Sequence, residues 1–348
     1  MIRRLTIVTG HRHGSAAGGS ENTIDELCAT LKAAGVAAAV VAPAPADQKA
    51  PLAREERADY ALFHAADVRV LPQAVTAFGA DAVLATVDLR AMLMAELEKL
   101  EKPVAIYIQD VMGHGPSTFY PRAPAILYLA NSPFMAARAR IQWGVEAQVL
   151  PPLIRPERYR TEGGARNEAL LVNPIPLKGI ETAFALARYR PDIRFRFQES
   201  WKLPAVWRDQ QMPRLRECGN IEWAAPVADM RPVYAATRLV LAPSVAEEGW
   251  GRTVTEGQMS GIPSLVSDRG ALPATVGRAG VTVPLDAPAA EWCAQFDRIW
   301  DDKDFYDGLS REALRRAGDP QLTPEAVSGR LLDLLARHAQ RWPRGNAG

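Results

Sequence analysis

Leu239-Val-Leu-Ala-Pro243, Ser244-Val-Ala-Glu-Glu-Gly-Trp-Gly251, Arg252-Thr-Val-Thr-Glu-Gly-Gln-Met-Ser-Gly261 and Ile262-Pro-Ser-Leu-Val266 run on without a break, and their reading decides the fold. The first segment has the apolar run of a buried strand. Gly249 and Gly251 break it into a loop, a helix opens near Arg252, and Gly261 closes that helix. The last segment is the next strand, so the whole is a βαβ unit with a glycine loop at a helix mouth. Such a mouth offers backbone N–H groups without intrahelical partners and the positive end of the helix dipole, which suits a phosphate. Glu248 and Glu256 frame the loop with seven residues between them. Carboxylates repel a phosphate, but their ionised oxygens accept hydrogen bonds from vicinal hydroxyls. An anion at the helix and diols at the acids outline a nucleotide sugar.

The same alternation extends outward in both directions. Leu5-Thr-Ile-Val-Thr9 reads as a strand, Gly10 to Gly19 as a glycine-rich loop, Glu21 to Ala34 as a helix closed by Gly35, and Val36 to Ala42 as a second strand. Strands over 82–86, 104–108 and 125–130 continue the series, and Ser132 with Pro133 forms an N-cap and first helical position. Val149-Leu-Pro-Pro-Leu-Ile-Arg-Pro156 is too rich in proline for a helix or central strand and reads as a linker. Beyond it, strands over 169–173, 193–197 and 221–223 and a helix from Gly179 to Arg188 restart the pattern. Repeated alternation predicts parallel sheets with helices on both faces. The expected architecture is α/β, with two Rossmann-like domains over 1–152 and 153–323. They would face a cleft at the strand C-terminal ends, where open parallel sheets bind ligands.

The 348 residues suffice for two ordinary domains, and an apolar fraction of 48% with 23% charged residues fits a globular protein. A formal net charge of +1 gives no reason to expect nucleic-acid binding. Cys28, Cys218 and Cys293 are too scattered for a disulfide framework or CxxC site and fit a reducing cytoplasm. Met1 to Thr9 runs straight into a strand, so no signal peptide is expected, and no apolar run approaches the roughly 20 residues that span a bilayer.

The frame around Glu248 resembles the Glu-x7-Glu signature of retaining glycosyltransferases with the GT-B fold. It is most similar to glycosyltransferase family 4 (glycosyl transferases group 1), where Pro-Ser, Glu-Gly-Phe-Gly, Glu-Ala-Met-Ala and Gly-x-Pro-Val-Val occur in order. Here the matching residues are Pro243-Ser244, Glu248-Gly-Trp-Gly251, Glu256-Gly-Gln-Met259 and Gly261-Ile-Pro263. The resemblance implies that Glu256 holds the ribose diol of a nucleoside-diphosphate sugar and Glu248 contacts the transferred sugar. It implies that Gly249 and the backbone of Trp250, Gly251, Arg252 and Thr253 line the diphosphate. Lys178, in Leu177-Lys-Gly179, would lie on the donor phosphates, where a cation stabilises charge building on the leaving group. Gly18-Gly19-Ser-Glu21 matches a turn whose backbone approaches the diphosphate with no Cβ in the way. It is not the GxGxxG of a nicotinamide site. The nucleobase would sit near Trp223 to Val227, and the helix over 324–342 would pack back on the first domain.

Departures from the family pattern are as specific as the matches. Asn173 stands where an arginine is expected on the donor, Gln109 stands for a histidine, Gln198-Glu-Ser-Trp201 for Gly-x-Gly, and Ala274 for an acid after Gly270-Ala-Leu-Pro. Arg252 and Arg269 are candidates to replace the missing cation. His13, Asp110 and His114 are candidate acceptor contacts; solvent-facing loop histidines and a turn-capping aspartate are the plain alternatives. Asp302-Lys-Asp304 is literally a DxD but reads as a solvated helix start, and no residues have metal-ligand spacing.

The sequence therefore points to a retaining, metal-independent hexosyltransferase, of the kind used in polysaccharide biosynthesis. It would need no cofactor beyond its nucleoside-diphosphate sugar, and its acceptor would be a hydroxyl on a glycan, lipid-linked sugar or metabolite. Expected placement is cytoplasmic; peripheral contact with the inner membrane face stays open through Arg138, Arg140 and the basic stretch Arg155 to Arg160. The alternative, motivated by Asn173, Gln109, Gln198 and Ala274, is a catalytically silent GT-B protein that binds nucleotide or glycan. An epimerase or phosphorylase of the same fold is a third reading. Oligomeric state is not legible.

Overall fold

The structure, a computed structural model, describes residues 1–10, 19–86, 91–111 and 126–341, and the chain divides into two units, Met1–Ile154 with Gln321–Gly348 and Arg155–Pro320. In the first unit the elements run β1 (Arg4–Val8), α1 (Gly19–Ala33), β2 (Ala37–Pro43), β3 (Leu52–Glu56), β4 (Ala61–Ala65), α2 (Leu71–Phe78) and β5 (Ala82–Ala85). They continue as α3 (Ala91–Glu98), β6 (Val104–Ile108), β7 (Ile126–Ala130), α4 (Pro133–Trp143) and β8 (Ala147–Val149). One sheet results, ordered β3-β4-β2-β1-β5-β6-β7-β8, parallel except for the β3–β4 pair.

Its central strands are almost purely apolar because both faces are covered. Side chains alternate between two apolar clusters: Val83 and Ile106 join one, while Leu84 and Tyr107 join the other. The start of α4 follows its sequence: Ser132 Oγ accepts from Met135 N–H at 3.1 Å, with Pro133 in the first turn and Gly144 in left-handed conformation at the end. Sequence reading passed over β3, β4 and β8. Leu52-Ala-Arg-Glu-Glu56 is an edge strand whose charges face solvent, so it lacks the apolar signal of its neighbours.

The second unit contains β9 (Glu168–Val172), α5 (Ile180–Tyr189), β10 (Arg194–Gln198), α6 (Ala205–Cys218), β11 (Ile221–Ala224) and α7 (Arg231–Ala236). It continues with β12 (Thr237–Ala242), α8 (Arg252–Gln258), β13 (Ser264–Ser267), α9 (Leu272–Val276), β14 (Gly280–Val283), α10 (Ala289–Asp301) and α11 (Lys303–Ala317). Its six strands are all parallel, in the order β11-β10-β9-β12-β13-β14. The chain thus winds outward one way from β9 and then the other way from β12. Ligands of such sheets sit outside the strand C-terminal ends at that reversal. Phe195 and Phe197 of β10 pack with Phe184 and Phe296 in the core. Arg196 between them points the other way, to Glu168 at 2.8 Å and Glu222 at 3.2 Å. Helix α12 (Pro324–Arg341) returns to the first unit: Val327, Leu331, Leu334 and Leu335 pack with Leu5, Ile24 and Leu31. Among the described residues no helix is long and apolar enough to cross a membrane.

Candidate functional site

Two loops meet where the strand order of the second unit reverses, one after β9 and one after β12. The β9 loop turns at Asn173, which is buried and left-handed at φ 57°. Its side chain ties down the loop after β10: Oδ1 accepts from Ser200 N–H at 2.8 Å and Nδ2 donates to Ser200 Oγ at 2.8 Å. The amide at the position expected to carry an arginine is therefore committed to the loop. A single 3-10 turn, Pro176–Lys178, then leads to Gly179 at φ 78°. A Cβ at Gly179 would lie 1.9 Å from the Pro243 carbonyl oxygen, so only glycine lets these two loops touch. Leu177 C=O accepts from both Val245 N–H at 3.0 Å and Ala246 N–H at 3.1 Å, which laces them together.

This lacing brings Lys178 Nζ to 2.6 Å from Glu248 Oε1, and Ser244 Oγ donates to the same oxygen at 2.6 Å. The lysine side chain is 31% exposed and the glutamate 16%, so the pair is partly screened from water. Glu248 is fixed from its other side by a parallel bridge to Gly270 and by Ala271 N–H donating to its carbonyl at 2.8 Å. Gly270 has φ 63°, and a Cβ there would lie 2.5 Å from Glu248 N.

Helix α8 opens after Gly251, whose φ of 97° excludes other residues without strain. Its first N–H groups have no acceptor within the helix by geometry. Trp250 turns away from bulk solvent: its indole N–H donates to Thr255 Oγ1 at 2.9 Å, and its carbonyl accepts from Thr275 Oγ1 at 2.5 Å. Glu256 is buried on the second turn. Its Oε1 accepts from Arg252 Nε at 2.8 Å and its Oε2 from the Tyr234 hydroxyl at 2.6 Å, while Arg252 also donates to the Tyr159 hydroxyl at 2.8 Å. Burial first, then the Glu256 charge and hydrogen bond, push the Tyr234 phenol well above its usual range, so it stays a proton donor. Arg252, a candidate for the missing cation, has its guanidinium on Glu256 and Tyr159.

The remaining candidates are more dispersed. Trp223 packs beside Phe197 and donates to Glu199 Oε1 at 2.7 Å, while Val227 is exposed further along. Gln198 Nε2 donates to the Ala225 carbonyl at 2.6 Å, inside the segment expected near a base. Gly249 is buried and Thr253 half-buried at the helix mouth. In the first unit, Gly19 is the exposed first residue of α1, and Asp110 is exposed after β6. Gly18, His13 and His114 lie outside the described residues. Asp302 caps α11, accepting from Phe305 N–H at 3.0 Å. Among the described residues no three His, Cys, Asp or Glu side chains gather as metal ligands. Sequence reading gave no role to Ser244, Tyr159 or Tyr234; the two tyrosines sit outside the signature, and only packing brings them to Arg252 and Glu256.

Residues 182–302 match the family described as Glycosyl transferases group 1. No curated protein sequence matches the chain. Among solved structures, sucrose-phosphate synthase from Thermosynechococcus elongatus is similar at TM-score 0.80 and 14% identity, over 96% of this chain and 98% of that one. A glycosyltransferase from Rickettsia africae is similar at TM-score 0.75 and 11% identity, over 96% and 98%. Anabaena HepE, solved in complex with UDP and glucose, is similar at TM-score 0.76 and 15% identity, over 96% and 100%. At these identities the likeness speaks for the fold.

Proposed function

We propose that this chain, which belongs to the group 1 glycosyl transferases and has their GT-B fold, transfers a sugar from a nucleoside-diphosphate sugar to a hydroxyl acceptor. The observation that carries the reading is the meeting of Lys178 with Glu248 at the strand reversal of the second unit, with Glu256 on the helix that follows. The relative bound to UDP and glucose supports a nucleotide sugar as donor.

In this reading the Lys178 ammonium takes the diphosphate and stabilises the charge that grows as it leaves. Glu248 accepts hydrogen bonds from hydroxyls of the transferred sugar, and Glu256, held by Tyr234 and Arg252, accepts from the ribose diol. Catalysis is then positioning and electrostatics, with a lysine supplying the positive charge and no metal required. The acceptor hydroxyl attacks from the face the diphosphate leaves, so configuration at the anomeric carbon is retained. Acceptor choice is assigned to the first unit, through Asp110, His13 and His114. The three free thiols support a reducing compartment, and the cytoplasm is the proposed location.

The test is transfer from UDP-, GDP- and ADP-sugars by wild type and by Glu248→Ala. A drop of about a hundredfold or more is expected from losing one transition-state contact; a variant working at the wild-type rate removes the mechanism. A second reading, a catalytically silent binder, is favoured by one feature. Asn173 stands for the expected arginine, with its amide bound to Ser200. Calorimetric binding of nucleotide without turnover over a broad acceptor panel would decide for it.

A further inference from the structure

We infer that Glu248 competes with the donor diphosphate for Lys178, and so makes the site prefer an intact nucleotide sugar over the bare nucleoside diphosphate left after transfer. The inference rests on the proposed donor site and adds to it a specificity role. Three observations support it. The ammonium and the carboxylate are in contact at 2.6 Å. Ser244 donates to the same carboxylate oxygen, which holds Glu248 in the paired pose. Both carriers are anchored: Lys178 by the fit of Gly179 on Pro243, Glu248 by its bridge to Gly270. The pair cannot separate by drifting of its loops without breaking these contacts.

A cation so placed is largely neutralised, and a diphosphate that reaches it comes close to a carboxylate of like charge. An ammonium has three N–H donors and can serve both acceptors, but the carboxylate–phosphate repulsion persists unless other donors take up the carboxylate charge. An intact donor carries them: its sugar hydroxyls bind Glu248 as its phosphates bind Lys178. Once the sugar has left, the nucleoside diphosphate offers Glu248 nothing. The carboxylate then reclaims the ammonium, and the product is displaced. Glu248 thus acts in sugar recognition and again in product release.

The test is calorimetry of UDP, GDP and ADP with wild type, Glu248→Gln, Lys178→Met and the double variant. Whichever nucleotide binds wild type is expected to bind E248Q about tenfold more tightly, the scale of a partly buried ion pair. The gain should vanish in the K178M background, since it acts through the ammonium. E248Q binding no more tightly than wild type overturns the inference while leaving the donor site standing. So does a gain that persists without Lys178, because plain repulsion between carboxylate and phosphate then explains it. If none of the three nucleotides binds any of the four proteins, the donor-site reading falls and takes this inference with it. Should E248Q not fold, Ser244→Ala carries the same test: loosening the paired pose should tighten nucleotide binding about twofold to threefold, and only with Lys178 present.

Discussion

Arg252→Met probes the helix mouth most sharply. The Arg252 and Glu256 side chains are 13% and 10% exposed and share a hydrogen bond of 2.8 Å. Methionine keeps much of the aliphatic stem but removes the cation, leaving a carboxylate in a poorly solvated site. Breaking a buried pair from one side costs about 3–5 kcal/mol. The Tyr234 hydroxyl, still donating to Oε2 at 2.6 Å, holds the loss near the lower end, about 3 kcal/mol. For a domain of this size that lowers the melting midpoint by about 6–12 °C. Adding Glu256→Gln removes the stranded charge and keeps an acceptor for Tyr234, so the double variant should recover about 2 kcal/mol. Differential scanning calorimetry of the two variants and wild type reads this directly. The reasoning is refuted if Arg252→Met melts within about 2 °C of wild type, or if the double variant melts no higher than the single one.

Three further outcomes are expected. Tyr234→Phe loses a hydrogen bond to a charged group, about 1.5–3 kcal/mol. Burial, with the Glu256 charge second, raises this phenol above its ordinary 10.0. Its contribution is therefore complete below that pH and is lost as pH rises further, when the unfolded phenol ionises and the folded one does not. Melting from pH 7 to 11 should show wild type losing more on the alkaline side than Tyr234→Phe, and equal slopes would contradict it. Gly270→Ala forces a left-handed alanine, about 1–2 kcal/mol, and drives a Cβ to 2.5 Å from Glu248 N. A lower melting point with transfer reduced at least about tenfold is expected from moving Glu248 off its place, and full activity in this variant would count against its role. Proton NMR of the product should show the anomeric configuration of the donor, and an inverted product excludes the retaining mechanism.

The βαβ frame around Glu248 was legible because each of its parts has a local cause. An apolar run ended at Pro243, glycines stood where φ is positive at 251 and 261, and Pro263 followed the helix stop. The two buried sheets were legible for the same reason, since doubly covered strands are nearly continuous runs of Val, Ile, Leu and Ala. The edge strand β3 was not, because it carries Arg54, Glu55 and Glu56 and lacks an apolar run, and β14 is only four residues long and opens on Gly280; the edge strand β11, with Ile221 and Trp223, was. Helix α6 hid for a related reason, being polar on most of its surface and holding Pro213. In the site, residue types were readable but pairings were not. Nothing in the order of residues shows that Lys178 reaches Glu248, 70 positions away, or that Tyr234 bonds Glu256, 22 positions away. The first of those contacts follows from the strand order, which sets β9 beside β12. Asn173 shows the converse: as a sequence departure it reads as a lost cation, whereas in the fold its amide joins two loops.

The most direct measurement is calorimetric titration of UDP-, GDP- and ADP-linked sugars into wild type and into Lys178→Ala, a variant whose lysine is partly exposed and whose loss leaves Glu248 held by Ser244. The account predicts that at least one of these donors binds wild type and that the variant binds it at least about tenfold more weakly. Equal affinity in the two proteins, or no binding of any nucleotide sugar to wild type, would contradict it.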